Sequence, residues 1–191
     1  MAILHLRLMA LSRGAGVNAI QLAARYAATT LVDAGRDEVY DFRDEAGVVH
    51  QEIIVPEGCQ PWQDRQRLWN AAEEAEKRKD SRVAREYQLG LPYELTAAER
   101  IGLARRWGRF IVERYRNAVD LTVHAPPDNG DSRNHYAKLL ATTRQVTPTG
   151  LGSKTGIERQ SGEQAGPKEL RYLHQQWKQL VSEALRANVA A

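Results

Sequence analysis

The sequence of 191 residues predicts a single α+β domain, with a mainly antiparallel five-stranded sheet and helices packed largely on one face. Five segments have the alternating or continuous apolar pattern that is typical of strands. Four other segments carry apolar residues at helical spacing. The loop between the last two predicted strands, residues 126–134, is too short for a parallel crossover, so these strands should form an antiparallel hairpin.

Two strands and two helices are predicted in the first half of the chain. Residues 2–9 alternate in polarity and form a strand that buries one face, and Asn18 can then cap an alanine-rich helix that ends near residue 30. Residues 33–47 are polar and rich in turn formers. Residues 48–55 are predicted to be a strand, and residues 62–79 a helix with its tryptophans turned inward.

Three strands and one helix follow. Residues 82–91 are predicted to be a strand. Thr96 and Glu99 have the spacing of a capping box, which should begin the next helix. Residues 118–125 and 135–143 form the predicted hairpin, because both alternate in polarity.

The end of the chain completes one domain that is expected to span residues 1–191. Residues 145–166 are rich in Gly, Ser, Thr and Pro, so we expect them to be mobile. Pro167 is suited to the first turn of a final helix over residues 167–187, whose apolar positions recur at helical spacing.

Composition excludes several classes of protein. No apolar run approaches the ~18 residues that a membrane-spanning helix needs. Cys59 is the only cysteine, which excludes a disulfide framework and a cysteine-based zinc site and fits a cytoplasmic protein. All four tryptophans lie at helical spacing, so we expect them to pack in the core and not to stack on nucleobases.

Charge is unevenly distributed, although the net charge is only +3. Residues 36–57 hold seven acidic and two basic side chains, whereas residues 62–116 hold thirteen basic and nine acidic ones. Residues 141–191 hold seven basic and four acidic ones. An acidic segment followed by basic ones suits the binding of a polyanion on one face. Solvated helix faces would give the same pattern, so charge alone leaves both interpretations open.

Histidine spacing by itself indicates no metal site. None of the five histidines is paired at i,i+2 or i,i+4, and no phosphate-loop, GxSxG or HExxH motif is present. His124 lies on the polar face of its predicted strand with Asp120 and Thr122, and the hairpin should bring it near residues 135–140. A partly exposed strand histidine is the alternative interpretation.

Segments along nearly the whole chain match one known pattern in the correct order. They are residues 1–6 with Ser12, Arg13 and Gly16; residues 68–73 and 76–81; residues 82–86 and 91–95; residues 119–126; Asn134 with residues 139–144; and residues 151–155 with Trp177 and Leu185. Together these segments resemble the MobA/MobL family of plasmid-mobilisation relaxases, which have an HUH-type conjugative relaxase domain.

The resemblance implies a nickase that acts in conjugative DNA transfer. Such enzymes bind single-stranded DNA at a transfer origin, with accessory proteins of the relaxosome as further partners. A tyrosine hydroxyl attacks one phosphodiester and stays attached to the 5′ phosphate. A divalent metal, Mg²⁺ or Mn²⁺, is held by three histidines and polarises the scissile phosphate.

The chain departs from the family pattern at two of the three metal-binding positions. The family strand begins Asn-Pro-His-Ala-His, whereas residues 134–138 are Asn-His-Tyr-Ala-Lys. Tyr136 and Lys138 therefore stand at the positions of the paired histidines, and His124 alone remains as a ligand. Using His135 instead would reverse its face of the strand. Because an ammonium group has no lone pair, we expect an incomplete metal site.

The position of the nucleophile also differs. Arg25 aligns with the family tyrosine and Tyr26 follows it, a rotation of about 100° around the helix. Glu86 matches an acidic position of the family, and Gln88 replaces another. At the position of a family metal ligand, Lys138 would neutralise a bound phosphate. Alternatively, its side chain would extend along the surface of a pocket that has lost its function.

The resemblance and these departures define a set of candidate site residues. We expect His124, Tyr136, Lys138, Tyr26, Arg25 and Glu86 to line one cleft. Tyr26 and Glu86 are the candidate catalytic residues, and His124 is the candidate metal ligand. The candidate DNA-binding residues are Arg25, Lys138, Arg13, Arg144 and Lys154.

Three functions remain open on this basis. The first is a relaxase-like protein that binds single-stranded origin DNA, with nicking activity weak or lost. The second is an active nickase that uses Tyr26 and His124. The third is an interaction module that keeps the fold and no longer binds DNA.

Overall fold

The structure is a computed structural model that describes residues 5–159 and 166–189. Its strands and helices follow the chain in a fixed order. They are β1 (Leu6–Ser12), α1 (Ala19–Tyr26), β2 (Thr30–Asp33), β3 (Glu38–Asp41), β4 (Val48–Ile54), α2 (Arg65–Glu74), β5 (Arg82–Leu91), α3 (Ala97–Tyr115), β6 (Val119–His124), β7 (His135–Thr142), β8 (Arg144–Thr147), β9 (Gly150–Lys154), α4 (Gly156–Arg159) and α5 (Pro167–Val189).

Five strands form one antiparallel sheet in the order β1-β5-β7-β6-β4. The predicted α+β class and five-stranded antiparallel sheet are therefore confirmed. The hairpin of β6 and β7 is also confirmed, with His124 opposite Tyr136 and Val119 opposite Ala141. Because β7 is the central strand, its side chains lie in the middle of both faces of the sheet.

One face of the sheet is covered by the two long helices, α3 and α5. Tyr87, Leu121 and Leu139 project from the strands into a core that also holds Trp107 and Trp177. Strand side chains alternate between faces, so the odd-numbered residues of β5, β6 and β7 supply this core. The prediction that the helices pack largely on one face holds only for these two long helices, because α1 and α2 pack on the other face.

The opposite face carries a second, smaller core under α1 and α2. Ala84, Leu140 and Ile53 of the sheet pack there with Ile20 and Trp69 of the helices. Apolar side chains cover only part of this face, because Gln88, Lys138, Thr122 and His124 also project on it from β5, β6 and β7. All four tryptophans are buried, which confirms their predicted role in the core.

Local hydrogen bonds set the predicted helix ends. The Asn18 side chain accepts a hydrogen bond from the backbone N–H of Gln21 and caps α1. Thr96 and Glu99 form the predicted capping box of α3. Pro167 is the first residue of α5. Within residues 5–159 and 166–189, no helix is long and apolar enough to cross a membrane.

Several boundaries differ from those that the sequence predicts. The polar segment 33–47 contributes to the hairpin of β2 and β3, and residues 144–154 form the hairpin of β8 and β9 within a stretch expected to be mobile. The predicted helix 62–79 is shorter, because Asp64 caps α2 by accepting a hydrogen bond from the Arg67 N–H. Residues 2–4 of the first predicted strand and residues 160–165 lie outside the described residues.

Candidate functional site

The strand register aligns polar side chains on the partly covered face of the sheet. Gln88, Lys138 and Thr122 lie side by side across β5, β7 and β6. One pleat further along, Tyr136 lies between Gly90 and His124. The alternation of strand side chains therefore brings the three predicted metal-site positions to one place.

Tyr26, the last residue of α1, reaches over this face of the sheet. Its hydroxyl donates a hydrogen bond to Oε2 of Glu86 over 3.1 Å, and Glu86 is only 3% exposed. Burial and the negative charge of Glu86 raise the pKa of Tyr26 well above its usual value of about 10. The phenol therefore stays protonated at neutral pH, with a carboxylate in position to accept its proton.

Arg25 lies at the outer edge of the same helix end. It is exposed, its Nε atom donates to Glu45 over 3.1 Å, and its guanidinium lies 5.9 Å from the ring centre of Phe42. Tyr26 and Arg25 are the two candidates for the nucleophile position. Because consecutive side chains lie about 100° apart around a helix, Tyr26 points to the sheet and Arg25 points away from it.

Lys138 contacts the ring of Tyr26. Its Nζ atom lies 4.0 Å from the ring centroid, within the range of a cation–π interaction. The side chain is half-buried, and burial lowers its pKa, while the charge of Glu86 acts in the opposite direction. A single cation is therefore held against the candidate nucleophile, close to the sheet.

His124 is 8% exposed and lies in a defined environment. Its ring stacks on Tyr136 with centroids 4.8 Å apart and planes 2° from parallel. Nε2 lies 3.0 Å from Oγ1 of Thr122, and that hydroxyl donates to the Lys138 carbonyl over 3.2 Å. Burial, with the Lys138 ammonium as a second cause, lowers the pKa of His124 to about 4, so the imidazole is neutral at pH 7.

These five residues, Tyr26, Glu86, His124, Tyr136 and Lys138, are called the polar cluster below. Their donor set does not fit a divalent metal. Lys138 has no lone pair while it is protonated, and Glu86 already accepts a hydrogen bond from the Tyr26 hydroxyl. Nε2 of His124 lies within hydrogen-bond distance of the Thr122 hydroxyl, which itself donates to the Lys138 carbonyl, so Thr122 already engages this nitrogen. No three His, Cys, Asp or Glu side chains form a metal-binding group in the described part of the chain.

Three predicted DNA-binding residues lie elsewhere. Arg144 and Lys154 each contact Glu76 over 2.7 Å, and Lys154 also donates to the carbonyl of Arg82 at the start of β5. Arg13 is paired with Glu73 over 2.6 Å. The structure thus joins five of the six expected cleft residues, places Arg25 at their rim, and holds Arg13, Arg144 and Lys154 in a separate network of ion pairs.

Two residues with contacts to these candidates were not singled out as site residues from the sequence. Thr122 lies within hydrogen-bond distance of His124 and orients its ring. The alternation of side chains along β6 indicates this contact, because the two residues share a face of the strand. Glu45 pairs with Arg25. Nothing in the acidic segment distinguishes Glu45 from its six acidic neighbours, so only the tertiary structure identifies it.

Comparison with known proteins shows a consistent set of similarities. The MobA/MobL family profile matches residues 18–190. The mobilization protein MobL of Acidithiobacillus ferridurans is 34% identical over an alignment of 179 residues, and the match covers 83% of this chain and 47% of the relative. The probable conjugal transfer protein TraA of Sinorhizobium fredii is 31% identical over 81% of this chain and 14% of its own length. The chain therefore spans less than half of either relative.

Solved structures share the fold. A structure described as the molecular basis of vancomycin resistance transfer in Staphylococcus aureus superimposes with a TM-score of 0.83 at 24% identity, covering 98% of this chain and 94% of the other. The conjugative relaxase TrwC in complex with oriT DNA, in a metal-bound form, gives a TM-score of 0.60 at 14% identity, covering 96% and 70%. TrwC has also been solved without metal.

Proposed function

Because the chain belongs to the MobA/MobL family, we propose that it binds single-stranded DNA at a transfer origin during plasmid mobilisation, with nicking activity weak or lost. The observation that carries this proposal is the position of Lys138, whose ammonium lies against the ring of Tyr26 within the polar cluster. A relaxase-like binding role also agrees with the names of the relatives, which are mobilisation and conjugal transfer proteins.

Lys138 can hold a phosphate without a metal. An ammonium is a compact cation with three donors, and it neutralises one phosphate charge directly. Its partial burial strengthens this attraction relative to a fully solvated lysine. Arg25, at the rim of the polar cluster, supplies a second cation if DNA displaces Glu45 from it.

Weak nicking follows from the chemistry around Tyr26. Burial and Glu86 raise the pKa of its hydroxyl, so a tyrosinate is costly to form. A lysine also neutralises less of the negative charge on the phosphate than a divalent metal that coordinates the phosphate oxygens directly. The first step would therefore be slow even though the hydroxyl is well placed.

The remaining candidate residues have a secondary place in this proposal. Arg13, Arg144 and Lys154 would contact DNA only by exchanging their carboxylate partners for phosphates. We therefore assign them to the outer part of the binding surface. Accessory proteins of a relaxosome are proposed as partners on the strength of family membership alone.

Binding of a labelled oligothymidylate of about 20 nucleotides, measured by fluorescence anisotropy over a range of salt concentrations, tests the proposal. Lys138→Gln should weaken binding about tenfold and reduce the slope of log K against log salt by about 0.7, because one phosphate contact is lost. Addition of EDTA should leave the affinity of the unchanged protein as it was. Lys178→Gln, an exposed lysine on α5, is the matched control.

An unchanged affinity and salt slope in Lys138→Gln would overturn the proposed phosphate site. Failure of the unchanged protein to bind any single strand would instead favour the interaction module. Loss of binding in EDTA would show that a metal is required and would also overturn the proposal.

A specific observation favours the second candidate function, an active nickase: the hydrogen bond from Tyr26 to Glu86. In that reaction the phenolic oxygen forms a bond to phosphorus, and the bond from phosphorus to the 3′ oxygen breaks. Glu86 takes the phenolic proton, and the 3′ oxygen takes a proton from Lys138 or water. A supercoiled plasmid that carries the cognate origin should then become open-circular, with protein attached to its 5′ end, and Tyr26→Phe should abolish both products.

A further inference from the structure

A cavity of about 330 Å³ lies beside the polar cluster, where β5 ends and β7 begins. Gln88 and Tyr136 line it, and in the sheet register they adjoin Lys138 and His124 respectively. Tyr136 precedes Lys138 by two residues, which is about 7 Å along the strand. This separation is comparable with that between the phosphate of a nucleotide and its base.

Flat rings make up much of the cavity wall. His5, Tyr93, His135 and Tyr136 all line it. Gly90 shares the face of β5 that carries Gln88, and it places no side chain between these rings. Because Tyr136 already stacks on His124 with parallel planes, a planar ligand in the cavity would extend this stack by one layer.

The lining offers polar edges and little free charge. At the rim, Arg133 is paired with Asp131 over 2.7 Å. Burial and nearby Arg100 lower the pKa of His135, so this ring is neutral at pH 7. Asn134 supplies an amide that can both donate and accept hydrogen bonds. These groups favour an uncharged planar ligand with hydrogen-bonding edges over a phosphate.

We propose that this cavity binds one unpaired nucleobase of the DNA strand whose phosphate is held at Lys138, by stacking and by contacts to the edges of the base. The inference depends on the proposed function, because the phosphate at Lys138 sets the register of the strand. Base binding by stacking tolerates different sequences, since every base has a π face.

Homopolymers provide a test that does not require the origin sequence. An oligothymidylate of about 20 nucleotides and an abasic strand of the same length carry the same phosphates but differ in every base. The unchanged protein should bind the thymidylate about tenfold more tightly than the abasic strand. Anisotropy competition measures this ratio directly.

Variants then test whether the ratio of the two affinities, thymidylate over abasic strand, depends on the cavity. Tyr93 is 47% exposed and lies in a loop, so Tyr93→Ala should fold normally. Tyr93→Ala should reduce the ratio of affinities to less than about threefold without changing the affinity for the abasic strand. Gly90→Val places a side chain in the cavity and should have the same effect. Tyr172→Ala, an exposed tyrosine on α5, is the matched control and should keep the full ratio.

The outcomes separate this inference from the function on which it rests. Equal binding of both strands by the unchanged protein, or a full ratio in Tyr93→Ala and Gly90→Val, overturns the nucleobase site and leaves the phosphate site intact. Lys138→Gln should weaken the binding of both strands equally. If it weakens neither, the proposed phosphate site fails.

Discussion

At the scale of single residues, Tyr136 and Lys138 decide what the polar cluster can bind. Where a paired-histidine strand would present two neutral nitrogen ligands, Tyr136 presents a phenol and Lys138 an ammonium. A phenol stacks well on His124, and an ammonium attracts phosphate, but neither binds a divalent metal in these protonation states. On the proposed function, this site of the relaxase fold therefore binds an anion in place of a metal cation.

Restoring the two histidines should restore metal binding. In Tyr136→His/Lys138→His, the new side chains lie two residues apart on β7 and share the face of His124 on the neighbouring strand. Burial, the larger cause of the lowered pKa of His124, is retained in this variant, so its ring has no extra proton to release at pH 7. Isothermal titration calorimetry should show stoichiometric binding of Zn²⁺ or Mn²⁺ by the double variant.

The control for this gain is Lys138→Gln, which removes the ammonium and adds no imidazole. It should bind neither metal, as should the unchanged protein. If the double variant binds no metal, the three positions are not arranged as a metal site in this chain.

Residue-level prediction from the sequence succeeded where strand alternation applied. The alternation of side chains placed His124, Tyr136 and Lys138 on one face, and the structure joins them. Alternation carries no information about partners, which is why the ion pairs of Arg13, Arg144 and Lys154 were not foreseen. Their roles in binding DNA remain predictions.

At the scale of elements, α3 approaches β4 closely at a glycine, Gly108. A Cβ atom at Gly108 would lie 2.5 Å from Cδ1 of Ile54 on β4. The absence of a side chain therefore allows the helix to approach β4 closely. Gly102, on the same helix, has no neighbouring atom within 4 Å of such a Cβ among those described.

Alanine substitutions at these two glycines should have opposite effects. Gly102→Ala should stabilise the protein by about 0.5–1 kcal/mol, because alanine has the higher helix propensity. Gly108→Ala should instead destabilise it by about 1 kcal/mol, because the added carbon must displace the flexible end of the Ile54 side chain. Urea unfolding measures both free energies.

A second substitution identifies the contact responsible. Ile54→Val removes the Cδ1 atom, so Gly108→Ala should cost at least about 1 kcal/mol less in the Ile54→Val background. A cost that is the same in both backgrounds would assign the effect of Gly108→Ala to some other neighbour.

The long elements were predicted from the sequence and the short hairpins were not. The strands of the main sheet and the helices have enough residues to show a period. Strands β2 and β3 have only four residues each, and α2 stabilises their hairpin from outside: Gln66 and Asn70 hydrogen-bond to the backbone of Val32. Such contacts between distant segments leave no local pattern.

At the scale of the whole molecule, one buried carboxylate joins α2 to the sheet. Asp120 on β6 accepts hydrogen bonds from Nε and Nη2 of Arg65, each over 2.8 Å, and from Nε1 of Trp69 over 2.9 Å. The Asp120 side chain is only 2% exposed. This contact fixes the helix that, with α1, covers part of the face of the polar cluster.

Removal of this carboxylate should be costly. Asp120→Ala leaves the Arg65 charge and the Trp69 N–H without their partner, so the free energy of unfolding should fall by about 3–5 kcal/mol. Arg78→Ala breaks a pair of similar length, 2.8 Å, with Asp80, but both partners are mostly exposed. Its effect should be below about 0.5 kcal/mol. Urea unfolding measures both effects. If Asp120→Ala and Arg78→Ala lower the free energy of unfolding by similar amounts, Asp120 has no special role.

The sequence by itself determined the class of fold, the antiparallel sheet, the long helices, the caps of α1 and α3, and the family to which the chain belongs. These properties depend on periodicity and on motifs that lie within short segments. The tertiary structure decided that Tyr26 and not Arg25 faces the sheet, which cations are already paired, and where the cavity lies beside Tyr136. Those outcomes depend on side chains that are far apart in the chain and meet only when the sheet and helices pack.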